Sequence, residues 1–333
     1  MKVAVIGAGS MGGMHLDLLA GMDDVDGLFV VEADAKRAAA AAERSGSVVV
    51  SLAEAIERAD AIVVATPPEY HALEVEAAVV AGRHVLCEKP LTDTLASSIA
   101  LTERIETEGA HVEVGFQRRH DAGFVAAREA VSGRLHLIRL TAHDPIFEPE
   151  PRPAESEVAP IFRDSSIHDF DMVRWLSGQE VTDVSVDVGR RDGARPDDPR
   201  QIESAVVTMR LSHGTLAVLE ASWLHPSGYD VRIELLSDGS AVSAGLTDRT
   251  PLTRVDGPAP DDPWPGWHER FEAAYRAELE AFLACCRGIR PPRSTPRDGV
   301  EAMRIAVAAT RSFSEGRRVA LDEIAGLARR EVA

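Results

Sequence analysis

The sequence is poor in cysteine, has no long hydrophobic run and carries no excess of positive charge. Its three cysteines, Cys87, Cys285 and Cys286, cannot build a disulfide framework, and two of them are chain neighbours that bridge poorly. This excludes a small stapled secreted fold and implies a reducing, cytoplasmic compartment. No uninterrupted apolar run approaches the ~18 residues of a membrane span. The first residues, MKVAVIGAG, are apolar but run directly into glycines with no cleavage-site pattern, so no signal peptide is expected. The net charge is −18 and the sequence pI about 5.0. Nucleic acid and anionic membranes would be repelled, and neither is expected as a partner. There is no internal repeat, and no low-complexity tract beyond an alanine-rich stretch in 35–44.

What is present is a core and a rhythm. The 333 residues are 45% hydrophobic, enough for two domains or one large α/β unit. Short apolar runs at Val3–Ile6, Gly27–Val31, Ala61–Ala65, His84–Cys87 and His111–Gly115 alternate with helical stretches. Ser51 with Glu54 forms a capping box before one of these helices. Continuous apolar strands alternating with helices predict a parallel, doubly wound sheet. After residue 120 the pattern changes to strands with alternating polarity, such as Val184, Val186 and Val188 against Asp183, Ser185 and Asp187. That predicts a half-exposed, mostly antiparallel sheet. A helix around Ile167–Leu176 interrupts it, and long amphipathic helices follow over 269–286 and 297–314. The fold class expected is α/β: a doubly wound domain over 1–118 and an α+β domain over 119–333. Loops rich in proline and charge are expected over 144–160, 189–201 and 256–267.

Gly7-Ala8-Gly9-Ser10-Met11-Gly12 is G-x-G-x-x-G between a strand and a helix, and Glu32 follows Gly12 by 20 residues at the end of the second strand. In that context the glycines let the backbone approach a pyrophosphate at the helix N-terminus, as in the Rossmann dinucleotide-binding domain. Glu32 would accept hydrogen bonds from the adenosine ribose, with Asp34 a weaker candidate. A carboxylate there repels a 2′-phosphate, which favours NAD; Lys36 and Arg37 close behind leave NADP open. Thr66-Pro67-Pro68 stops the next strand at the edge where ligands of such sheets bind, and His71 follows as either a helix-end histidine or a cofactor contact. Glu88-Lys89-Pro90 ends the strand after that. Lys89 is either a solvated edge lysine or a cation aimed into a crevice.

The densest polar cluster is FRDSSIHDFDMVRWL, residues 162–176. In a helix, Asp164, His168 and Asp171 would share one face, with Ile167, Phe170, Val173 and Leu176 beside them. A carboxylate that orients an imidazole suits proton transfer. A structural helix with a solvated polar face is the alternative. A metal site is not expected, since no cysteine or second histidine sits at ligand spacing.

Together, GAGSMG, TPPEYH, Glu88-Lys89-Pro90, GFQRRHD at Gly115–Asp121 and D-x-x-x-H-x-x-D at Asp164–Asp171 resemble the Gfo/Idh/MocA family of oxidoreductases across nearly the whole chain. Within it, FRDSSIHDFDMVRWLSG and His143-Asp144-Pro145 look most like the inositol 2-dehydrogenase branch. The resemblance implies an enzyme that moves hydride between a secondary alcohol of a cyclic polyol or sugar and NAD. It implies Lys89, Asp164 and His168 as catalytic residues, with Pro90 after a cis peptide. Gly7, Gly9, Ser10, Met11, Gly12, Glu32, Thr66, Pro67, His71, Glu88 and Gln117 would meet the cofactor. Arg118, His143, Asp144, Asp171 and Tyr229 would hold substrate hydroxyls. A homo-oligomer, dimer or tetramer, is also implied. The chain departs from the family at Ala159-Pro160, where a glycine pair is common, and at His143-Asp144; both departures bear on which substrate is taken. Another sugar substrate, or a non-enzymatic NAD-binding sensor, are the alternatives.

Overall fold

The computed structural model describes residues 1–145, 158–190, 193, 195, 197–252 and 256–324. Most of the proline-rich loop expected over 144–160, and part of that over 189–201, lie outside the described residues. The chain divides into two compact units: Met1–Gln117 with Tyr275–Val300, and Arg118–Ala274 with the chain from Glu301 onward. The sequence reading draws one cut after residue 118, whereas Tyr275–Val300 returns to the first unit. The apolar face of that return segment explains it, because Leu279, Phe282 and Leu283 are all buried and Phe282 packs edge-on against His111 of the first unit.

The first unit begins β1 (Lys2–Ile6), α1 (Ser10–Ala20), β2 (Gly27–Val31), α2 (Ala35–Ser45), β3 (Val48–Val49), α3 (Leu52–Arg58) and β4 (Ala61–Val64). It continues α4 (Pro68–Val80), β5 (His84–Glu88), α5 (Leu95–Glu108) and β6 (Val112–Gly115). The six strands are parallel in the order β3-β2-β1-β4-β5-β6. Val3–Ile6 and Ala61–Val64 are buried throughout, as helices on both faces of a parallel sheet require. Strand order reverses between β1 and β4, so the glycine loop after β1 and the Thr66 turn after β4 meet at the switch point where such sheets bind ligands. Ser51 caps α3 in the expected capping box.

The second unit opens with a short 3₁₀ turn running on from Gln117 to His120, then α6 (Ala122–Ala130) and β7 (Leu135–Pro145). A π-helical turn (Ile161–Ser165) leads into α7 (Ile167–Ser177). Then come β8 (Val181–Gly189), β9 (Ser204–Leu211), β10 (Leu216–His225), β11 (Asp230–Ser237) and β12 (Ala241–Ala244). The long helices α8 (Trp267–Cys286) and α9 (Pro296–Glu315) and the short β13 (Val319–Ala320) follow. The sheet order is β12-β11-β7-β10-β9-β8-β13. Only β7 and β10 pair in parallel among its described strands, so the sheet is mixed and mostly antiparallel. Along β9, Ala205, Val207, Met209 and Leu211 are buried while Val206 between them is exposed, the alternation of a sheet covered on one face. Among the described residues no helix is long and apolar enough to cross a membrane.

Candidate active site

The glycine loop shows which glycines the protein itself needs. Gly7 has φ +92°, and a Cβ there would lie 2.7 Å from the Ala65 carbonyl oxygen. A Cβ on Gly12 would lie 2.0 Å from the Gly7 carbonyl oxygen. Both serve the close packing of β1, β4 and α1. Gly9 differs: nothing lies within 4 Å of the Cβ it lacks. It is the residue before α1, and no side chain caps the helix there. The open space over Gly9 and the uncapped helix N-terminus leave a cradle of the kind that suits an anionic group.

Glu32 closes the loop. Its carboxylate accepts from the Ala8 backbone N–H at 2.9 Å, the Asp34 backbone N–H at 2.9 Å and Arg37 Nη2 at 2.9 Å. The Arg37 bond first, and then the two backbone bonds, outweigh its partial burial and hold its pKa down at about 2. Glu32 is therefore a fixed negative charge. Arg37 is paired with it, which removes one of the two cations that left NADP open.

The two turns that follow β4 and β5 are tied by His71. This histidine is fully buried, with Nε2 2.8 Å from the Thr66 carbonyl and Nδ1 3.0 Å from the Pro90 carbonyl. Burial lowers its pKa against the pull of those carbonyls. The ring is thus engaged in holding the two turns together, which corrects the picture of an exposed helix-end histidine. The Thr66 hydroxyl donates to Glu74 at 2.5 Å. The Lys89–Pro90 peptide is cis, as the resemblance implied. Glu88 is buried, its Oε1 2.7 Å from His15 Nε2 and its Oε2 accepting from the Lys89 backbone N–H at 3.2 Å. His15, on the buried face of α1, is a partner that the sequence reading missed. Lys89 is half-buried and is one of three lysines in the chain, with Lys2 and Lys36. Gln117 is 2% exposed, and its Oε1 has no hydrogen-bond partner among the described residues.

In the second unit, the single α-helix through Asp164, His168 and Asp171 does not form as expected. Asp164 lies in the π-helical turn and the other two on α7, so the i, i+4 spacing from Asp164 crosses a junction whose wider turn changes the register. The solvated polar face is also excluded: His168, Asp169 and Asp171 are 7%, 1% and 1% exposed. Ile167, Phe170, Val173 and Leu176 are buried with them, as expected. Asp164 accepts from Arg163 Nε at 3.2 Å. Asp171 accepts from Arg119 Nε at 2.8 Å, and its second oxygen is held by the same guanidinium.

Asp169, unassigned by the sequence reading, pairs with Arg118 Nη1 at 2.6 Å. Tyr229 hydrogen-bonds Arg118, and Asp144, which accepts from the Ser165 hydroxyl at 2.9 Å, lies close enough to add its field. Burial works against the Arg118 cation, yet Asp169, Tyr229 and Asp144 keep its pKa above the usual arginine value. Burial raises Asp169 against the pull of Arg118, and raises the Tyr229 phenol against the same pull. Arg118 Nε and Asp169 Oδ2 are buried without a hydrogen-bond partner among the described residues. His143 stands apart from this group. It stacks on His225 at 5.5 Å and pairs across the sheet with Asp230, and burial lowers its pKa.

Comparison with known proteins agrees with this architecture. Residues 1–116 match the family model described as oxidoreductase family, NAD-binding Rossmann fold, and residues 155–321 the model for the same family's C-terminal alpha/beta domain. The chain is 38% identical to a myo-inositol dehydrogenase, Hyg17, of Streptomyces leeuwenhoekii, over 95% of this chain and 98% of that one. It is 31% identical to a myo-inositol 2-dehydrogenase of Thermotoga maritima, over 98% and 100%. A crystal structure of a myo-inositol dehydrogenase from Corynebacterium glutamicum superposes with a TM-score of 0.84 at 28% identity, covering 96% of this chain and 98% of that one.

Proposed function

Because the chain belongs to the Gfo/Idh/MocA family of oxidoreductases, we propose that it is an NAD-dependent dehydrogenase that oxidises a ring hydroxyl of an inositol or a closely related cyclic polyol. The observation that carries the substrate class is the nearly full-length likeness to inositol dehydrogenases. When bound, the nicotinamide supplies the hydride-accepting chemistry. Gly7, Gly9, Ser10, Met11 and Gly12 bind the pyrophosphate, Glu32 the adenosine ribose, and Thr66, Pro67 and Gln117 the remainder. The open cradle at Gly9 and the unpartnered buried Gln117 Oε1 support this assignment. His71 and Glu88 act one step back, fixing the turns that carry Thr66 and Lys89.

Lys89, as a cation, hydrogen-bonds the reacting oxygen and stabilises the negative charge that develops on it. His168 takes the hydroxyl proton as general base, and Asp164 supports the charge so formed. Arg118, Asp144 and Tyr229 orient the other hydroxyls, with His143 and Asp171 at the margin of that set. The unused Arg118 Nε and Asp169 Oδ2 support a polyol, since neighbouring hydroxyls offer both an acceptor and a donor. The same reading expects a cytoplasmic enzyme, in keeping with three free cysteines. It also expects a dimer or tetramer built on the open sheet, whose Val206 is 43% exposed.

Absorbance of reduced nicotinamide, followed with a panel of inositols and aldoses in both directions, tests the function. Turnover of at least one inositol, faster with NAD than with NADP, is expected. Turnover confined to aldoses would reassign the substrate, and no turnover with any compound would favour a cofactor-binding sensor.

A further inference from the structure

His111, Glu113 and Cys285 each offer one ligand atom, and the three atoms lie within 4.8 Å of one another. Cys285 Sγ is 3.2 Å from His111 Nε2, and that nitrogen is 3.2 Å from Glu113 Oε1. Neighbouring ligands of a tetrahedral cation with bonds of about 2.0–2.3 Å stand close to this far apart. The three residues belong to the first unit, and the reaction proposed above uses none of them. Glu113 lies on β6, the edge strand of the parallel sheet, and His111 just precedes it. Cys285 is at the end of α8, 174 residues further along the chain. That distance explains why ligand spacing in the sequence showed no metal site.

The surroundings can set the tautomer a metal ligand needs. His84 Nδ1 is 3.1 Å from His111 Nδ1, so the His111 Nδ1–H can donate there and leave Nε2 unprotonated, with the Cys285 sulfur over the ring at 3.2 Å from Nε2 and 3.7 Å from Nδ1; a small turn of the ring brings the Nε2 lone pair to a cation. Metal-bound histidines are commonly fixed by such a bond from their second nitrogen. Phe282 packs edge-on against the same ring. Glu113 and Cys285 are buried, while His111 is part-exposed, which leaves solvent access on one side. The other convergent cluster, His143, His225 and Asp230, is less suited to a cation. There Asp230 accepts from Arg232 Nε at 2.8 and 3.1 Å, so a guanidinium already neutralises it.

We propose that His111, Glu113 and Cys285 form a zinc site that clips the edge strand β6 to the end of α8, with solvent as the fourth ligand. The sulfur, nitrogen and oxygen donors suit a borderline cation such as Zn²⁺. Binding forms the Zn–S bond as the thiol proton leaves to solvent, and nothing is oxidised or reduced.

The test uses the full chain, stripped with a chelator and titrated with Co²⁺ alone, then with Zn²⁺. One equivalent of Co²⁺ should give a thiolate-to-metal charge-transfer band that Zn²⁺ abolishes, and Zn²⁺ should raise Tm as a ligand of the folded state does. The band should vanish in Cys285→Ser, weaken at least tenfold in apparent affinity in His111→Ala, and persist in Cys286→Ser. No band in the wild-type protein, or a band that survives Cys285→Ser, would overturn the proposal. The wild-type titration decides it even if a variant folds poorly.

Discussion

Lys89 is held from behind. The residue before it, Glu88, is buried against His15, and its second oxygen accepts the Lys89 backbone N–H. Removing the Lys89 side chain leaves that brace in place. Lys89→Ala should therefore fold normally and bind NAD with wild-type affinity, while kcat falls about 10²–10³-fold, the usual cost of one oxyanion donor. His168→Ala should lower kcat about 10²–10⁴-fold, as loss of a general base does. Steady-state kinetics beside a fluorescence titration with NADH reads both effects, and near-normal turnover in the two variants would remove these residues from the mechanism. At this scale the sequence shows residues whose meaning is local. Glu88-Lys89-Pro90 at a strand end could be read, because strand, charge and proline are neighbours. His15 and Asp169 could not: their partners, Glu88 and Arg118, are 73 and 51 residues away. A lone histidine on an apolar helix face and one aspartate among several carry no sign of those pairings.

In the glycine loop the protein itself excludes a Cβ at Gly7 and Gly12, whereas none of its atoms excludes one at Gly9. Gly7→Ala forces a side chain into a positive-φ position and against the Ala65 carbonyl, so it should lower Tm sharply. Gly9→Ala meets no atom of the protein and should leave Tm unchanged while raising the Kd for NAD about tenfold or more, ~1.4 kcal/mol. Thermal melts with NADH titrations distinguish the two, and unimpaired NAD binding by Gly9→Ala would deny the cradle its role. A second element-scale expectation concerns α8. Glu278 there is 2% exposed, and neither carboxyl oxygen has a hydrogen-bond partner among the described residues. Burial first, then Glu88 and Glu113, push its pKa well above the usual carboxylate value. The folded protein thus keeps a proton that the unfolded chain loses above about pH 4.3. This makes stability fall as pH rises from there toward the raised folded value. Between about pH 6 and about pH 9, Glu278→Gln should lose less Tm than wild type; equal losses would mean that Glu278 is ionised in the folded protein. The long helices were legible from their period, and the core strands of the first unit from their continuous apolar runs. The two-residue strands β3 and β13, and the four-residue β12, are too short to show a period, and α6 had no counterpart in the sequence reading. The π-helical turn at Asp164 keeps a helix-like pattern and is set by packing.

At the scale of the molecule, alternation of strand and helix followed by runs of alternating strands sufficed for the two fold classes. It did not reveal the parallel pairing of β7 with β10, because strand patterns carry no record of their neighbours. Nor did it reveal the return of Tyr275–Val300 to the first unit, which depends on where an apolar helix face finds its complement. The distribution of lysine has a different kind of consequence. Lys2, Lys36 and the half-buried Lys89 are the only side-chain amines in 333 residues, and all three precede residue 90. Amine-directed chemistry, whether a fluorescent label, a bead linkage, a cross-linker or an acetyl mark, can therefore attach only to the first third of the chain, and everything beyond is open to such reagents solely through other functional groups. Any acylation that silences the enzyme has a single half-buried amine beside the proposed chemistry to act on, and the two exposed ones, Lys2 and Lys36, form the whole of its side-chain background.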